Sequence, residues 1–325
     1  KNTQGEVTAV KWKPMGSAEV TAKKVKLHDY DEEEVKFSNG DVTIAGTLSS
    51  PVTKGPHPAV IMILGSDGGI RGFGFKELPG FFAQHGIAAL TYDKRGWGES
   101  TGSRTGATIN VMAEDAAAGV RFLQKRRDID PGKVGVWAIS QGGWVGPIVA
   151  STTPNVAFMI LHAAPAVSPR LQSRMELVHV FPSRYGLKHD ELNEAVAYQN
   201  LYFDAMNSDE AYDKLQDTYK QLQERGARWA WNPGTKEQLR QNWTRPNIDF
   251  DPLPFLEKVQ CPVIAFYGGK DPLVPAEGNV ERMEAALKKA GVGVIVRLSG
   301  PAAALRAAKT EIWGTTGTGL RQRAA

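Results

Sequence analysis

Six short apolar runs, each closed by glycine or a polar turn, recur along the chain with helical stretches between them. No other feature restricts the fold as much. The runs are "PAVIMILGSDGG", "GIAALTYDKRG", "KVGVWAISQGG", "VAFMILHAAP", "CPVIAFYGGKD" and "VGVIVRLSG". A strand that is apolar at successive positions buries both of its faces, which a parallel sheet covered by helices on both sides requires. The intervening stretches "FKELPGFFAQHG", "INVMAEDAAAGVRFLQKR", "GGWVGPIVAS" and "NVERMEAALKKAG" place apolar residues at helical spacing. Strand and helix in this order predict an α/β fold with a doubly wound, mostly parallel sheet. Ahead of the first run, "EEEVKFSNGDVTIAGTLSSP" reads as a hairpin turning at Asn39-Gly40.

The alternation stops between residues 168 and 252, where strand signals give way to helical periodicity. Tyr198, Leu201, Tyr202, Ala205 and Met206 fall on one helical face, and Tyr212, Leu215, Tyr219 and Leu222 follow a heptad-like spacing. The chain therefore divides into a basic N-terminal extension (1–33), an α/β core in two pieces (34–167 and 253–325) and a helical insertion (168–252). An insertion between two strands returns near the edge it left. It is expected to cap the C-terminal strand ends, where open α/β sheets bind ligands. Trp229, Trp231 and Trp243 crowd into a short stretch of it, where they either line the mouth of the site or pack among the insertion's own helices.

Composition excludes several classes of function. Six lysines in residues 1–28 against Glu6 and Glu19 account for the whole net charge of +4. The remainder is balanced and has no electrostatic footprint for nucleic acid, and the arm reads as a solvated segment. No run reaches the roughly 18 apolar residues of a membrane-spanning helix, so a soluble chain is expected. The single cysteine, Cys261, rules out an intramolecular disulfide and a multi-cysteine metal site, and opens an apolar strand as a small buried thiol. No cofactor or metal is called for. The first residue is Lys1, consistent with removal of a signal peptide or a tag, and a secreted or periplasmic location is expected over a cytoplasmic one.

In "GVWAISQGGW" a strand runs into Ser140 and then, through Gln141-Gly142-Gly143, into a helix. Such a turn lifts the serine oxygen above the sheet and needs small residues on both sides. The pattern Ala138-x-Ser140-x-Gly142 differs from G-x-S-x-G by one methyl group. The N–H of Gln141, directly after the serine, is then one donor of an oxyanion hole. "YDKRGWGES" is glycine-rich and basic but lacks the G-K-[ST] ending of a phosphate loop, and is expected to be a supporting turn.

On "NGDVTIAGTLSSP", "YDKRGWGES", "AISQGG", "GGKDPLVP" and "AKT", the chain resembles the α/β-hydrolase superfamily over residues 34 to 310. Within it the chain is similar to bacterial esterase and dienelactone-hydrolase-like proteins related to the prolyl oligopeptidases. The resemblance implies Ser140 as nucleophile and Asp271 in "YGGKDPLVP" as the acid that orients a histidine. A plain Asx-turn before Pro272 is the competing reading of Asp271. The resemblance also implies the Ser66 amide as the second oxyanion donor, with Asp67 as the neighbouring alternative.

The same resemblance puts the general base between Gly300 and Ala308-Lys309-Thr310, at Ala303. A serine without a base is a poor nucleophile at neutral pH. Three origins fit an alanine there: an engineered replacement, residues missing at a joined gap, or natural loss of catalysis, the first two ranking above the third. Of the other histidines, His28, His57, His85 and His189 are remote. His179 is conceivable as a base, and His162 ends a strand beside Ser140. The tail "EIWGTTGTGLRQRAA" is glycine-rich and too short for the amphipathic helix with which this superfamily closes. The expected activity is hydrolysis of a small-molecule carboxylic ester or acyl substrate through an acyl-enzyme on Ser140. The alternatives are a peptidase or thioesterase of the same fold, or a ligand-binding protein that keeps the fold without catalysis.

Overall fold

A computed structural model describes residues 9–12, 20–23, 29–66, 68–71, 77–242 and 244–299. Ala303, Asp67 and Trp243 lie outside the described residues. Eight strands form one sheet: β3 (Tyr30–Asn39), β4 (Val42–Pro51), β5 (His57–Ile63), β6 (Ala88–Tyr92), β7 (Ile129–Ile139), β8 (Val156–His162), β9 (Val263–Gly268) and β10 (Val294–Ser299). Their order is β10-β9-β8-β7-β5-β6-β4-β3. All six apolar runs are strands, and they pair in parallel from β6 through β10. The predicted hairpin closes with Asn39 opposite Val42 and Gly40 at a φ of 58°. This is the architecture of an α/β hydrolase.

Two further strands, β1 (Ala9–Trp12) and β2 (Val20–Lys23), pair antiparallel as a separate hairpin. The N-terminal arm, expected as a solvated segment, therefore holds paired strands. Its lysines hid them, because a charged face does not interrupt an alternating strand.

Alternate residues of a strand point to opposite faces. On one face Ile61, Ile63, Val136, Ala138, Leu161 and Ala265 pack against α2 (Ile109–Gln124), α3 (Gly142–Thr152) and α9 (Asn279–Lys289). On the other, Val60, Met62 and Trp137 meet α1 (Glu77–Gln84) through Leu78 and Phe82. Helices lie on both faces, so the sheet is doubly wound. Cover on the second face is nevertheless incomplete among the described residues, since Phe266 on β9 and Ile295 on β10 are 38% and 44% exposed. Apolar runs look the same in sequence whether or not their covering helix has been reached.

Between β8 and β9 the chain makes α4 (Pro169–Tyr185), α5 (His189–Ala205), α6 (Asp209–Glu224), α7 (Lys236–Gln241) and α8 (Leu253–Leu256). Tyr198, Met206, Leu215 and Leu222 are buried together there, as the periodicity predicts. Trp229 is buried in the same cluster, and Trp231 packs edge-on against Tyr198 and Tyr202. Of the two readings of these tryptophans, mouth and core, the structure takes the second: they supply the insertion's own core, because a separate helical layer this small needs large apolar groups to bury. The buried Asn247 accepts from the Ile109 N–H at 2.7 Å and donates to the Ala107 carbonyl at 3.2 Å, tying the end of the insertion to the start of α2.

Candidate active site

Strand β7 delivers Ser140 to the C-terminal edge of the sheet, and α3 starts two residues later. The serine has a φ of 52°, a left-handed conformation that costs an L-residue free energy and persists only where its surroundings enforce it. The enforcement is visible at the flanking glycines. A Cβ on Gly142 would lie 2.3 Å from the Ile63 carbonyl oxygen, and one on Gly143 would lie 2.5 Å from Ala164 Cβ. The Ser140 N–H donates to the His162 carbonyl at 3.1 Å, which joins the turn to the end of β8.

The loop after β5 closes against this turn. A Cβ on Gly65 would stand 3.2 Å from Ser140 Cβ and 3.6 Å from its Oγ, so the segment carrying Ser66 abuts the serine. The N–H groups of Ser66 and Gln141 make no hydrogen bond among the described residues. Lys94 crosses between the two loops, its Nζ donating to the Gly65 carbonyl at 2.6 Å and to Gln141 Oε1 at 2.9 Å. Lysine thereby ties the loop after β5 to the start of α3 beside the serine.

Asp271 follows β9 at the same edge. Its Oδ1 accepts from the N–H groups of Leu273 and Val274 at 2.9 and 3.1 Å, so the Asx-turn reading holds in full. Its Oδ2 has no partner among the described residues. The carboxylate is close enough to act on His162 and on Glu176 of α4. Burial lowers the pKa of the His162 imidazole, and Asp271 works against that shift. Burial raises the Glu176 carboxyl, and Asp271 adds to it. Ser140, His162 and Asp271 thus sit on three adjacent strand ends.

The remaining histidines of the described residues are engaged locally. His57 bonds to the Thr53 carbonyl, His85 to the Phe81 carbonyl, His179 to the Met175 carbonyl and His189 to Asn193. The His162 imidazole meets the rings of Trp137 and Phe266 edge-on and has no hydrogen bond among the described residues.

A cavity of about 420 Å³ opens beside the turn, bordered by Ser66 and Gln141. Lys94, Arg95, Trp97 and Arg104 from the loop after β6 line it, and the insertion adds Gln241 and Asn242. "YDKRGWGES" therefore does more than support a turn. The readable signal was its place directly after a strand of the same parallel set as the serine strand, since all such strands end at one edge.

Chains of known kind are similar to this one in sequence or in fold. The esterase EstD of Thermotoga maritima is 28% identical over 167 residues, 49% of this chain and 39% of its own length. Matched stretches span between 30% and 58% of the curated relatives' lengths. A Pyrococcus furiosus esterase superposes with a TM-score of 0.52 at 15% identity, covering 84% of this chain and 82% of its own. The α/β hydrolase GrgF of Penicillium does so with a TM-score of 0.53 at 16% identity, covering 87% and 97%. At such identities the superpositions carry the fold alone. The sequence model of the X-Pro dipeptidyl-peptidase (S15) family matches residues 9–298, and the chain belongs to that family.

Proposed function

We propose that the protein is a serine hydrolase of carboxylic esters that works through an acyl-enzyme on Ser140. The observation that carries this reading is the φ of 52° at Ser140, followed by Gly142 and Gly143, whose neighbours leave no room for a side chain. In this reading Ser140 Oγ attacks the acyl carbon, and the resulting oxyanion takes hydrogen bonds from the Ser66 and Gln141 amides, which have no partner among the described residues. Collapse expels the alcohol, and water then releases the acid by the same route. Acylation needs a base that takes the serine proton and returns it to the departing alcohol, and deacylation needs the same base to take a proton from water and return it to Ser140 Oγ. In this reading position 303, alanine in this chain, is the place of that base, and a histidine there would be oriented by Asp271 through Oδ2 while Oδ1 holds the turn. The helical insertion serves as the cap, presenting Gln241 and Asn242 to the substrate.

A fluorophosphonate probe tests the assignment. Ala303→His should be labelled at Ser140, as located by peptide mass spectrometry, and Ala303→His combined with Ser140→Ala should not. Labelling at another residue, or none in a folded Ala303→His chain, overturns it. The family match favours one second reading, cleavage after an Xaa-Pro pair. Rates on an Xaa-Pro nitroanilide and on a nitrophenyl ester, measured in the same variant, separate the two.

A further inference from the structure

The cavity beside Ser140 is lined by Lys94, Arg95 and Arg104, and no carboxylate of the described residues borders it. Nearby acids already have cations. Asp115 takes two bonds from Arg95, at 2.6 and 2.7 Å. Asp93 and Glu99 both pair with Arg71, at 3.3 and 3.1 Å. Arg104 differs, because its guanidinium carbon lies 4.7 Å from the centroid of the Trp97 ring and no carboxylate of the described residues pairs with it. A guanidinium stacked on an aromatic face keeps its N–H donors in the plane, directed outward.

The loop that carries Arg104 is closed before any ligand arrives. Gly96 N–H donates to the Thr101 carbonyl at 3.0 Å, Trp97 N–H to the Lys94 carbonyl at 2.9 Å, and Ser100 N–H to the Trp97 carbonyl at 2.9 Å. The Asp93 carboxylate accepts from the Arg71 and Glu99 amides at 2.8 and 2.9 Å. Gly98, at a φ of 52°, lies against that carboxylate, where a Cβ would come within 2.3 Å of its Oδ2. The stacked pair is therefore pre-positioned, and little ordering entropy opposes its use.

We propose that the substrate carries a carboxylate, which Arg104, stacked on Trp97, binds at the mouth of the cavity while the ester lies beside Gln141 and Ser66. The proposal rests on the ester-hydrolase reading for the second half of that statement. One planar guanidinium edge matches the two oxygens of a carboxylate. Phosphate is held in most sites by several converging amides at a glycine loop or helix start, whereas the group singled out here is one guanidinium beside an aromatic ring. The substrate class is thus a half-ester of a dicarboxylic acid, or an ester whose alcohol bears an acid.

Binding without turnover separates this proposal from the catalytic one. With the full chain bearing Ser140→Ala, calorimetry compares monoethyl glutarate, diethyl glutarate and inorganic phosphate. The half-ester should bind at least about tenfold tighter than the diester, and the advantage should shrink with added salt. Adding Arg104→Gln should remove the advantage, and Arg104→Lys should keep part of it, with circular dichroism confirming the fold of each. Equal binding of half-ester and diester overturns the proposal, as does an advantage that survives Arg104→Gln. Tighter Arg104-dependent binding of phosphate than of the half-ester overturns the carboxylate assignment. A half-ester preference in a protein whose Ser140 is never labelled leaves this inference standing and removes the hydrolase reading. A labelled serine without the preference does the reverse.

Discussion

Ser140 and Asp271 follow parallel strands to the same edge of the sheet but are held there by different means. At Ser140 the turn is locked by tertiary contacts: β5 and the Ala164 segment press on its glycines, and the end of β8 accepts the Ser140 N–H. At Asp271 the turn is closed by the side chain itself, through two bonds to amides two and three residues on. The first arrangement stores backbone strain that the whole core supports. The second is local and half-exposed, and it leaves one carboxylate oxygen for a partner. A nucleophile must be fixed relative to the oxyanion donors, whereas an acid that orients a histidine needs only to present one oxygen. Under the proposed assignment of Ser140 and Asp271, the two turns match those different tolerances.

The largest expected effect tests whether the locked serine awaits only a base. Ala303→His should raise ester hydrolysis by roughly 10⁴-fold, the scale of a triad base in comparable enzymes. Adding Ser140→Ala should cancel the gain, as read by nitrophenyl ester turnover. If the unaltered chain already turns over at the rate of Ala303→His, the base is His162, and His162→Gln must then abolish activity. A folded but inert Ala303→His chain would mean that the strain at Ser140 serves binding and not chemistry.

Stability measurements sharpen the contrast between the two turns. Gly143→Ala puts a methyl where Ala164 already stands, and should lower the urea midpoint by an amount equivalent to about 1–3 kcal/mol. Asp271→Ala removes the acceptor for two amides that water can partly replace, and should cost about 1 kcal/mol. Asp271→Asn keeps an acceptor in the same place and should stay within about 0.5 kcal/mol of the unaltered chain. Equal losses for Gly143→Ala and Asp271→Asn would erase the distinction between tertiary and local closure.

The sheet was legible in sequence because its central strands are buried on both faces, and continuous apolar runs have few other uses. The Ser140 turn was legible because close backbone approach excludes side chains, and Gly142 and Gly143 record that exclusion directly. Side-chain networks that form across the fold leave no such mark. Nothing near Lys94 in sequence announces its bonds to Gly65 and Gln141, and Arg104 becomes notable only once Trp97 is seen beneath it. Trp229 and Trp231 were undecided in sequence because a tryptophan cluster has the same composition whether it lines a mouth or fills a small core. The hairpin of β1 and β2 was masked by its lysines for a related reason, since charge reports exposure on one face and not the conformation of the backbone.

The smallest expected effect concerns His162, which lies between the two turns and feels both. Its backbone carbonyl holds the Ser140 amide, and its imidazole is kept below the ordinary value of about 6.5 by burial, with Asp271 opposing. In the window below that value the unfolded chain binds a proton that the folded chain resists. The folded state is therefore favoured in full above the unfolded pKa, and that contribution is lost as pH falls toward the folded one. Because the ring is partly open to solvent, screening holds the effect to no more than a few tenths of a kcal/mol. Urea midpoints from pH 7.5 down to 5 should fall slightly less steeply for His162→Gln than for the unaltered chain. The Asp271→Asn chain should fall more steeply, since removing the carboxylate leaves burial unopposed and widens the gap between folded and unfolded pKa values. Parallel slopes for Asp271→Asn and the unaltered chain would show that the two turns do not communicate through His162.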